Sequence, residues 1–328
     1  MSSLAPILEG YFTDRLTQRN ASPHTVASYR DAFCLLLRFA QERTGKAPSK
    51  LDLADLDAPL IGAFLEHLEK DRANQIATRN NRLAAIHSLF SYAALRCPEH
   101  AALIQRVLAI PQKRRQTTIV SYLTRPEVEA LLASPDRATA LGRRDHALLL
   151  TATQTGLRVS ELTALTCTDA QLDTAPCLRC IGKGRRARQT PLTKPTAKLL
   201  RGWLSHRDAA PADPLFPNRH RGRLSRDAVA DLLSKHVTTA TRSCPSLAEK
   251  HVTPHVLRHT AAMALLHAGV DISTIALWLG HATTKATEVY LHADLALKEQ
   301  ALARTAPPGV GRNSYHADDS LIRFLESR

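Results

Sequence analysis

Residues Pro111-Gln112-Lys113-Arg114-Arg115-Gln116-Thr117 contain no large apolar side chain, and they stand between two stretches of helically spaced apolar residues. A segment with nothing apolar to bury cannot lie inside a core, so a chain of 328 residues divided in this way must build two cores joined by an exposed linker. The expected division is a helical domain over residues 1–110, a linker over 111–121, a second domain over 122–305 and a tail over 306–328.

Upstream of the linker every periodic segment reads as helix, and no strand alternation interrupts them. A first helix is expected from about Leu4 to Arg19. A second opens at Ser22-Pro23, where serine can cap and proline is preset for the first turn, and runs through Tyr29, Phe33, Leu36 and Leu37 to Gly45. A third follows the acidic stretch Asp52 to Asp57 and carries Leu60, Ile61, Phe64, Leu65 and Leu68. A fourth places Thr78, Leu83, Ile86, Leu89 and Phe90 on one side, and opens on the polar, basic run Arg79-Asn80-Asn81-Arg82.

The second region begins at Leu123-Thr124-Arg125-Pro126-Glu127, where Thr124 can cap a helix. A strongly apolar helix is expected from about Arg144 to Thr153. From Cys167 to Leu192 short apolar segments flank Gly182-Lys183-Gly184, the pattern of a β-hairpin or a three-stranded sheet. Helices resume at Lys194 and continue to about Arg304, broken by a proline-rich loop at Pro211 to Pro217. Pro307-Pro308-Gly309 then precedes a short terminal helix, Asp318 to Leu325. The fold class is mainly α with a small β-sheet.

The formal charge of +14 makes a polyanion the leading partner, because a basic surface binds nucleic acid by neutralising phosphates and releasing counterions. The longest apolar run, around Ala147 to Thr151, is too short to span a membrane, and the N-terminus has no signal-peptide pattern, so a cytoplasmic location and no membrane partner are expected. Six cysteines are scattered along the chain. Cys177 and Cys180 form a lone CxxC with no second ligand pair, which reads as two strand cysteines on different faces; no metal and no cofactor are expected.

The residues able to do chemistry lie in separated clusters of the second region: Arg158, Lys183, His255 with Arg258, His281, and Tyr290. A phosphodiester broken without metal or activated water needs a nucleophile, cations for the nonbridging oxygens and an acid for the departing oxygen, and each role has a candidate here. Taken singly, each has a plainer explanation. Lys183 would be an exposed turn residue, His255 and His281 partly buried structural histidines, and Tyr290 a core anchor on a helix face. His259 and Trp278 read as packing residues.

The clusters together are more specific. Thr155-Gly156-Leu157-Arg158-Val159-Ser160-Glu161-Leu162 resembles the first signature box of the tyrosine recombinase, or phage integrase, family. Gly182-Lys183-Gly184 through Arg188 to Leu192 is similar to the family's hairpin, Thr253-Pro254-His255-Val256-Leu257-Arg258-His259-Thr260 to its HxxR box, and Leu279-Gly280-His281 to the next. Tyr290 follows at the family's nucleophile spacing. The helical first region is similar to the family's core-binding domain, so the resemblance covers about residues 4–300. It implies a helical core-binding domain, SAM-like in fold, followed by an α+β catalytic domain.

The resemblance implies that Tyr290 attacks a DNA phosphate to give a 3′-phosphotyrosine, Arg158 and Arg258 clamp that phosphate, and Lys183 protonates the leaving 5′ oxygen. His255 and His281 would assist proton transfer, and Glu161 would orient the network. Further DNA contacts are expected from Arg79, Asn80, Arg82, Lys113, Arg114, Arg115, Arg185 and Arg186. The implied partners are double-stranded DNA with paired recombination sites, three further copies of the chain in a tetramer, and an accessory or partner recombinase. Leu321, Ile322, Phe324 and Leu325 of the tail are expected to dock on a neighbouring copy. A type IB topoisomerase and a non-catalytic DNA-binding regulator remain alternatives on sequence alone, whereas a metal-dependent nuclease lacks the carboxylate clusters it would need.

Overall fold

A computed structural model describes residues 3–114, 120–182, 187–281 and 283–293. The chain forms two compact units, residues 1–117 and 118–328. Lys183, Arg115, Arg185, Arg186 and the whole tail lie outside the described residues.

In the first unit α1 (Leu4–Gly10) passes through a π turn (Tyr11–Arg15) into α2 (Leu16–Gln18). Helix α3 (Pro23–Thr44) begins where Ser22 Oγ accepts the Thr25 N–H, and ends at Gly45, whose φ of +70° suits glycine. Helix α4 (Ala58–Lys70) is capped by Asp57, which accepts the Leu60 N–H at 2.8 Å. Helices α5 (Ile76–Ala93) and α6 (Ala101–Leu108) complete the unit. Phe33, Leu36, Phe64, Leu83 and Phe90 are buried together, as the apolar spacing requires. Tyr11 is the aromatic hinge of this core. Its ring meets Phe33 and Tyr92 edge-on at 5.9 and 5.6 Å, and its hydroxyl, which burial would otherwise strand, donates to Ser88 Oγ.

The opening of α5 departs from expectation. Arg79 and Asn80 do not present themselves to DNA: both are buried, and their polar groups are engaged within the unit. Arg79 Nη1 donates to the Pro111 carbonyl, and Asn80 takes both sides of the Lys113 peptide, its Nδ2 donating to the Lys113 carbonyl (2.8 Å) and its Oδ1 accepting the Lys113 N–H (3.1 Å). Lys113 Nζ pairs with Glu69 at 2.6 Å, and Arg79 Nε lies 3.3 Å from the same carboxylate. The start of the linker is therefore stitched onto the first unit. Arg114 is exposed, and Arg82 is half-buried.

The second unit is organised around α8 (Ala140–Thr155), which begins earlier than the apolar pattern indicated because Thr139 caps it one turn upstream of Arg144. Helix α7 (Arg125–Ala133) opens on a reciprocal cap, with the Thr124 N–H donating to Glu127 at 2.7 Å. Helix α9 (Val159–Ala164) precedes an antiparallel sheet of β1 (Ala170–Gln171), β2 (Cys177–Ile181) and β3 (Ala187–Pro191) in that order, with Cys177 opposite Pro191 and Cys180 opposite Arg188. Helices α10 (Lys194–Ser205), α11 (Arg226–Ala240), α12 (Pro254–His267), α13 (Ile272–Leu279) and α14 (Lys285–Ala293) follow.

Helix α8 is buried along most of its length and packs against α7, α10 and α12. Its buried charges are engaged: Arg144 forks onto Asp145 Oδ1, and His236 of α11 reaches Asp145 Oδ2 at 2.9 Å. This satisfies the buried carboxylate and fixes α11 against α8. Among the described residues no helix is long and apolar enough to cross a membrane, and no group of three or more His, Cys, Asp or Glu could hold a metal ion.

Candidate active site

The site is built where three chain reversals meet. Gly156 ends α8 at φ +63°, Arg158 occupies the cap of α9, and Gly280 ends α13 at φ +64°. Both glycines are required by space as well as by φ. A Cβ on Gly156 would lie 2.7 Å from the Leu279 side chain, and one on Gly280 would lie 2.7 Å from the Arg188 guanidinium. The carbonyls freed by these turns become acceptors. Arg258 Nη1 donates to the Gly156 carbonyl at 2.6 Å and its Nη2 to the Leu279 carbonyl at 2.7 Å, while Arg158 Nη2 donates to the Gly280 carbonyl at 3.2 Å.

Glu161 is the carboxylate of the cluster. It closes the α9 cap by accepting the Arg158 N–H, pairs with the Arg158 guanidinium at 3.0 Å, and receives a two-pronged contact from Arg188 at 2.9 and 2.8 Å. Burial alone would raise its pKa, but Arg188 and then Arg158 outweigh burial and hold the carboxyl below its ordinary value. Arg158 and Arg188 thus pair with one carboxylate, and Arg258, bound to backbone carbonyls, adds a third guanidinium beside them, so the three arginines outnumber Glu161 by two charges. Arg258 is only 2% exposed. Burial and the repulsion of Arg158 lower its pKa to about 10, so it stays charged at neutral pH.

A cleft of about 510 Å³ opens onto this excess charge, lined by Arg158, Arg226, Asp227, Thr253, His255 and Arg258 among others, so that Asp227 offsets Arg226 and the excess remains. His255 is exposed to that cleft, and desolvation followed by Arg258 and Arg158 pushes its pKa down. His281, just past the Gly280 turn, bonds Thr287 Oγ1 through Nδ1 at 2.7 Å. Burial and the arginines lower its pKa to about 4. Tyr290 is 1% exposed and packs among Ala262, Met263, Leu266, Ile275 and Leu279. Burial raises its pKa, while Arg258 and Arg158 pull the other way. A larger groove of about 680 Å³, lined by residues such as Tyr122, Leu132, Met263 and His267, contains none of these groups.

The structure therefore brings together Arg158, Glu161, His255, Arg258, His281 and Tyr290 in one unit; Lys183 lies outside the described residues. Two site residues differ from the sequence expectation. Arg188 passed for one of several basic residues in the hairpin, yet it anchors β3 to Glu161. Its signal was the register, since position 188 faces the buried Cys180 across the ladder. His259, expected to be plain packing, places Nδ1 2.9 Å from the Tyr290 hydroxyl and its ring 4.6 Å from that of His255. Four-residue spacing from His255 on one helix was the readable sign. Trp278 is partly buried, and its indole N–H donates to the Thr155 carbonyl.

Known proteins resemble this chain over nearly its whole length. Residues 121–296 match the phage integrase family and residues 8–96 match the phage integrase N-terminal SAM-like domain. The chain belongs to the phage integrase family of tyrosine recombinases. It is 53% identical to the integrase/recombinase y4rC of Sinorhizobium fredii (strain NBRC 101917 / NGR234), covering 99% of this chain and 98% of that protein. It is 33% identical to the tyrosine recombinase XerC of Pelobacter propionicus (strain DSM 2379 / NBRC 103807 / OttBd1), over 89% and 93% of the two chains. The fold of the recombinase matches that of the XerH site-specific recombinase solved in a post-cleavage complex with palindromic difH substrate, at a TM-score of 0.67 and 22% identity, covering 87% of this chain and 81% of that one. The recombinase is accordingly an enzyme with a mostly helical fold, a SAM-like first unit and a small sheet in its catalytic unit.

Proposed function

We propose that this recombinase cuts and rejoins double-stranded DNA at paired specific sites, with Tyr290 as nucleophile and a 3′-phosphotyrosine as intermediate. The observation that carries the reading is the excess of positive charge at the cleft, where Arg158 and Arg188 share Glu161 and Arg258 bonds only backbone carbonyls among the described residues. A scissile phosphate supplies the missing anion. Arg158 and Arg258 meet its nonbridging oxygens and stabilise the charge that builds on them as the phosphorus becomes five-coordinate. Glu161 and Arg188 hold Arg158 in place, and His255 faces the same cleft.

Lys183 is the proposed acid for the departing 5′ oxygen. Because one phosphodiester replaces another, the bond energy is retained and resealing needs neither ATP nor a metal. Tyr290 is buried, with its hydroxyl held 2.9 Å from His259 in the same unit. The exposed Arg114 is a proposed phosphate contact, and so are Arg82 and the hairpin residues Arg185 and Arg186.

The palindromic substrate of the XerH complex supports two copies per site and hence four on a synapsed pair, with the tail exchanged between neighbours. The greater identity to an integrase/recombinase than to XerC favours integration or excision of a mobile element over dimer resolution. Such work places the protein in the cytoplasm with the DNA.

The test is a nicked suicide substrate carrying sites from the genetic neighbourhood of the coding sequence, incubated with EDTA and without ATP. A covalent protein–DNA adduct is expected, absent in Tyr290→Phe. Tight DNA binding with no adduct on any such site, or an adduct that survives in Tyr290→Phe, would overturn the assignment.

A further inference from the structure

Three histidines surround the reacting groups, and the structure gives them three different partners. His255 lines the phosphate cleft, His281 is engaged by Thr287, and His259 alone of the three touches the hydroxyl of Tyr290, at 2.9 Å. The Tyr290 hydroxyl is buried, so its proton needs an acceptor inside the protein. When the ring proton of His259 sits on Nε2, the Nδ1 lone pair accepts it. The opposite tautomer would leave the phenolic proton buried without a partner.

Resting on the proposed role of Tyr290, we infer that His259 is a catalytic residue, the base that positions the Tyr290 hydroxyl and receives its proton as the phosphotyrosine bond forms. The Oη–H bond breaks and its proton passes to Nδ1. The Oη electron pair forms the bond to phosphorus, the P–O5′ bond breaks with its pair, and O5′ takes a proton from the acid on the leaving side. On rejoining, the 5′ hydroxyl displaces Tyr290, which recovers its proton from His259.

Before DNA binds, burial, His255 and Arg258 hold the His259 pKa at about 4, so the ring is neutral and its lone pair free. A phosphate seated on Arg158 and Arg258 offsets that repulsion and strengthens the base when substrate is present. The T-shaped contact between the His255 and His259 rings, at 4.6 Å, holds the base beside the cleft. This assigns nucleophile-side proton transfer to a residue that is neither the first histidine of the HxxR box nor His281.

The test measures the rate of adduct formation by His259→Gln and His259→Ala on two suicide substrates, one natural and one with a sulfur at the bridging 5′ position, whose thiolate leaves without an acid. His259→Gln is expected to lose about 10²-fold in rate with DNA affinity unchanged, the loss to persist on the sulfur substrate, and imidazole to restore part of the His259→Ala rate. Glutamine preserves polarity and size, which guards against a variant that merely misfolds. Variants as fast as wild type or faster, a defect erased by the sulfur substrate, or a loss of rate that imidazole leaves untouched would each overturn the role. Wild-type and Tyr290→Phe controls in the same experiment judge the parent reading separately: a Tyr290-dependent adduct with unimpaired His259 variants defeats only the present inference.

Discussion

Each unit of the recombinase sets one carboxylate between two cations, and the two clusters end differently. In the first unit Glu69 meets Arg79 and Lys113, and Lys113 keeps about half of its side chain in solvent, which neutralises what the carboxylate does not. In the second, the buried Glu161 meets Arg188 and the cleft-lining Arg158, and a third guanidinium, Arg258, has only backbone carbonyls as hydrogen-bond partners among the described residues. The first arrangement is complete and holds a chain segment in place. The second lacks an anion, and that deficit marks it as the place where a phosphate binds.

Removing the fork without removing the charge breaks this contrast most severely. Arg258→Lys cannot reach the Gly156 and Leu279 carbonyls and a phosphate at once, so adduct formation is expected to fall by about 10²–10³-fold in single-turnover cleavage, with little change in DNA affinity. Glu161→Gln leaves Arg158 and Arg188 without their counter-charge, and a loss of about 3–5 kcal/mol is expected in denaturant unfolding of the catalytic unit. Added sulfate should restore part of that loss if the cluster is short of an anion. No recovery would place Glu161 with Glu69 as a purely structural residue.

Acid separates the clusters more gently. The folded-state pKa of Glu161 lies below its ordinary 4.5, so its contribution is present above that pH and is lost as pH falls through the folded value. His259 and His281 titrate near 4 in the folded protein against an ordinary 6.5, so between those values the unfolded chain holds more protons and stability again declines toward acid. The unfolding temperature of the catalytic unit is therefore expected to drop steadily from pH 6.5 to 4, and ring-proton NMR should show both imidazoles neutral until near pH 4. Midpoints close to 6.5 would mean that neither burial nor the neighbouring positive charges act on them.

The smallest expected effect is in the first unit. Asn80→Ala frees the Lys113 peptide, whose groups can turn to water, so the cost is about 1 kcal/mol and the clearest sign is faster tryptic cutting after Lys113 and Arg114.

What could be read in advance followed from local rules. Ser22 and Thr124 each head a helix as such residues should: Ser22 Oγ accepts the Thr25 N–H, and the Thr124 N–H donates to Glu127. The order of Arg158, Arg258, His281 and Tyr290 carried the site because four reactive side chains at family spacing constrain one another. Arg79 was misjudged by chemistry taken without geometry: it sits four residues before Leu83 and seven before Ile86, on the apolar stripe of α5, and so points inward. The partnership of Arg188 with Glu161 spans 27 positions and depends on how a hairpin lies against a helix cap, which no local rule supplies.

The pairing of Asn80 with Lys113 has a consequence for association. Under the proposed function both units hold one duplex, and the second to bind does so at an effective concentration set by the tether between them. Residues 111–113 are committed to the first unit, so the tether is shorter than the sequence of the linker suggests. A shorter tether confines the catalytic unit to a smaller volume around the bound site and raises that concentration, giving avidity with no added contact to DNA.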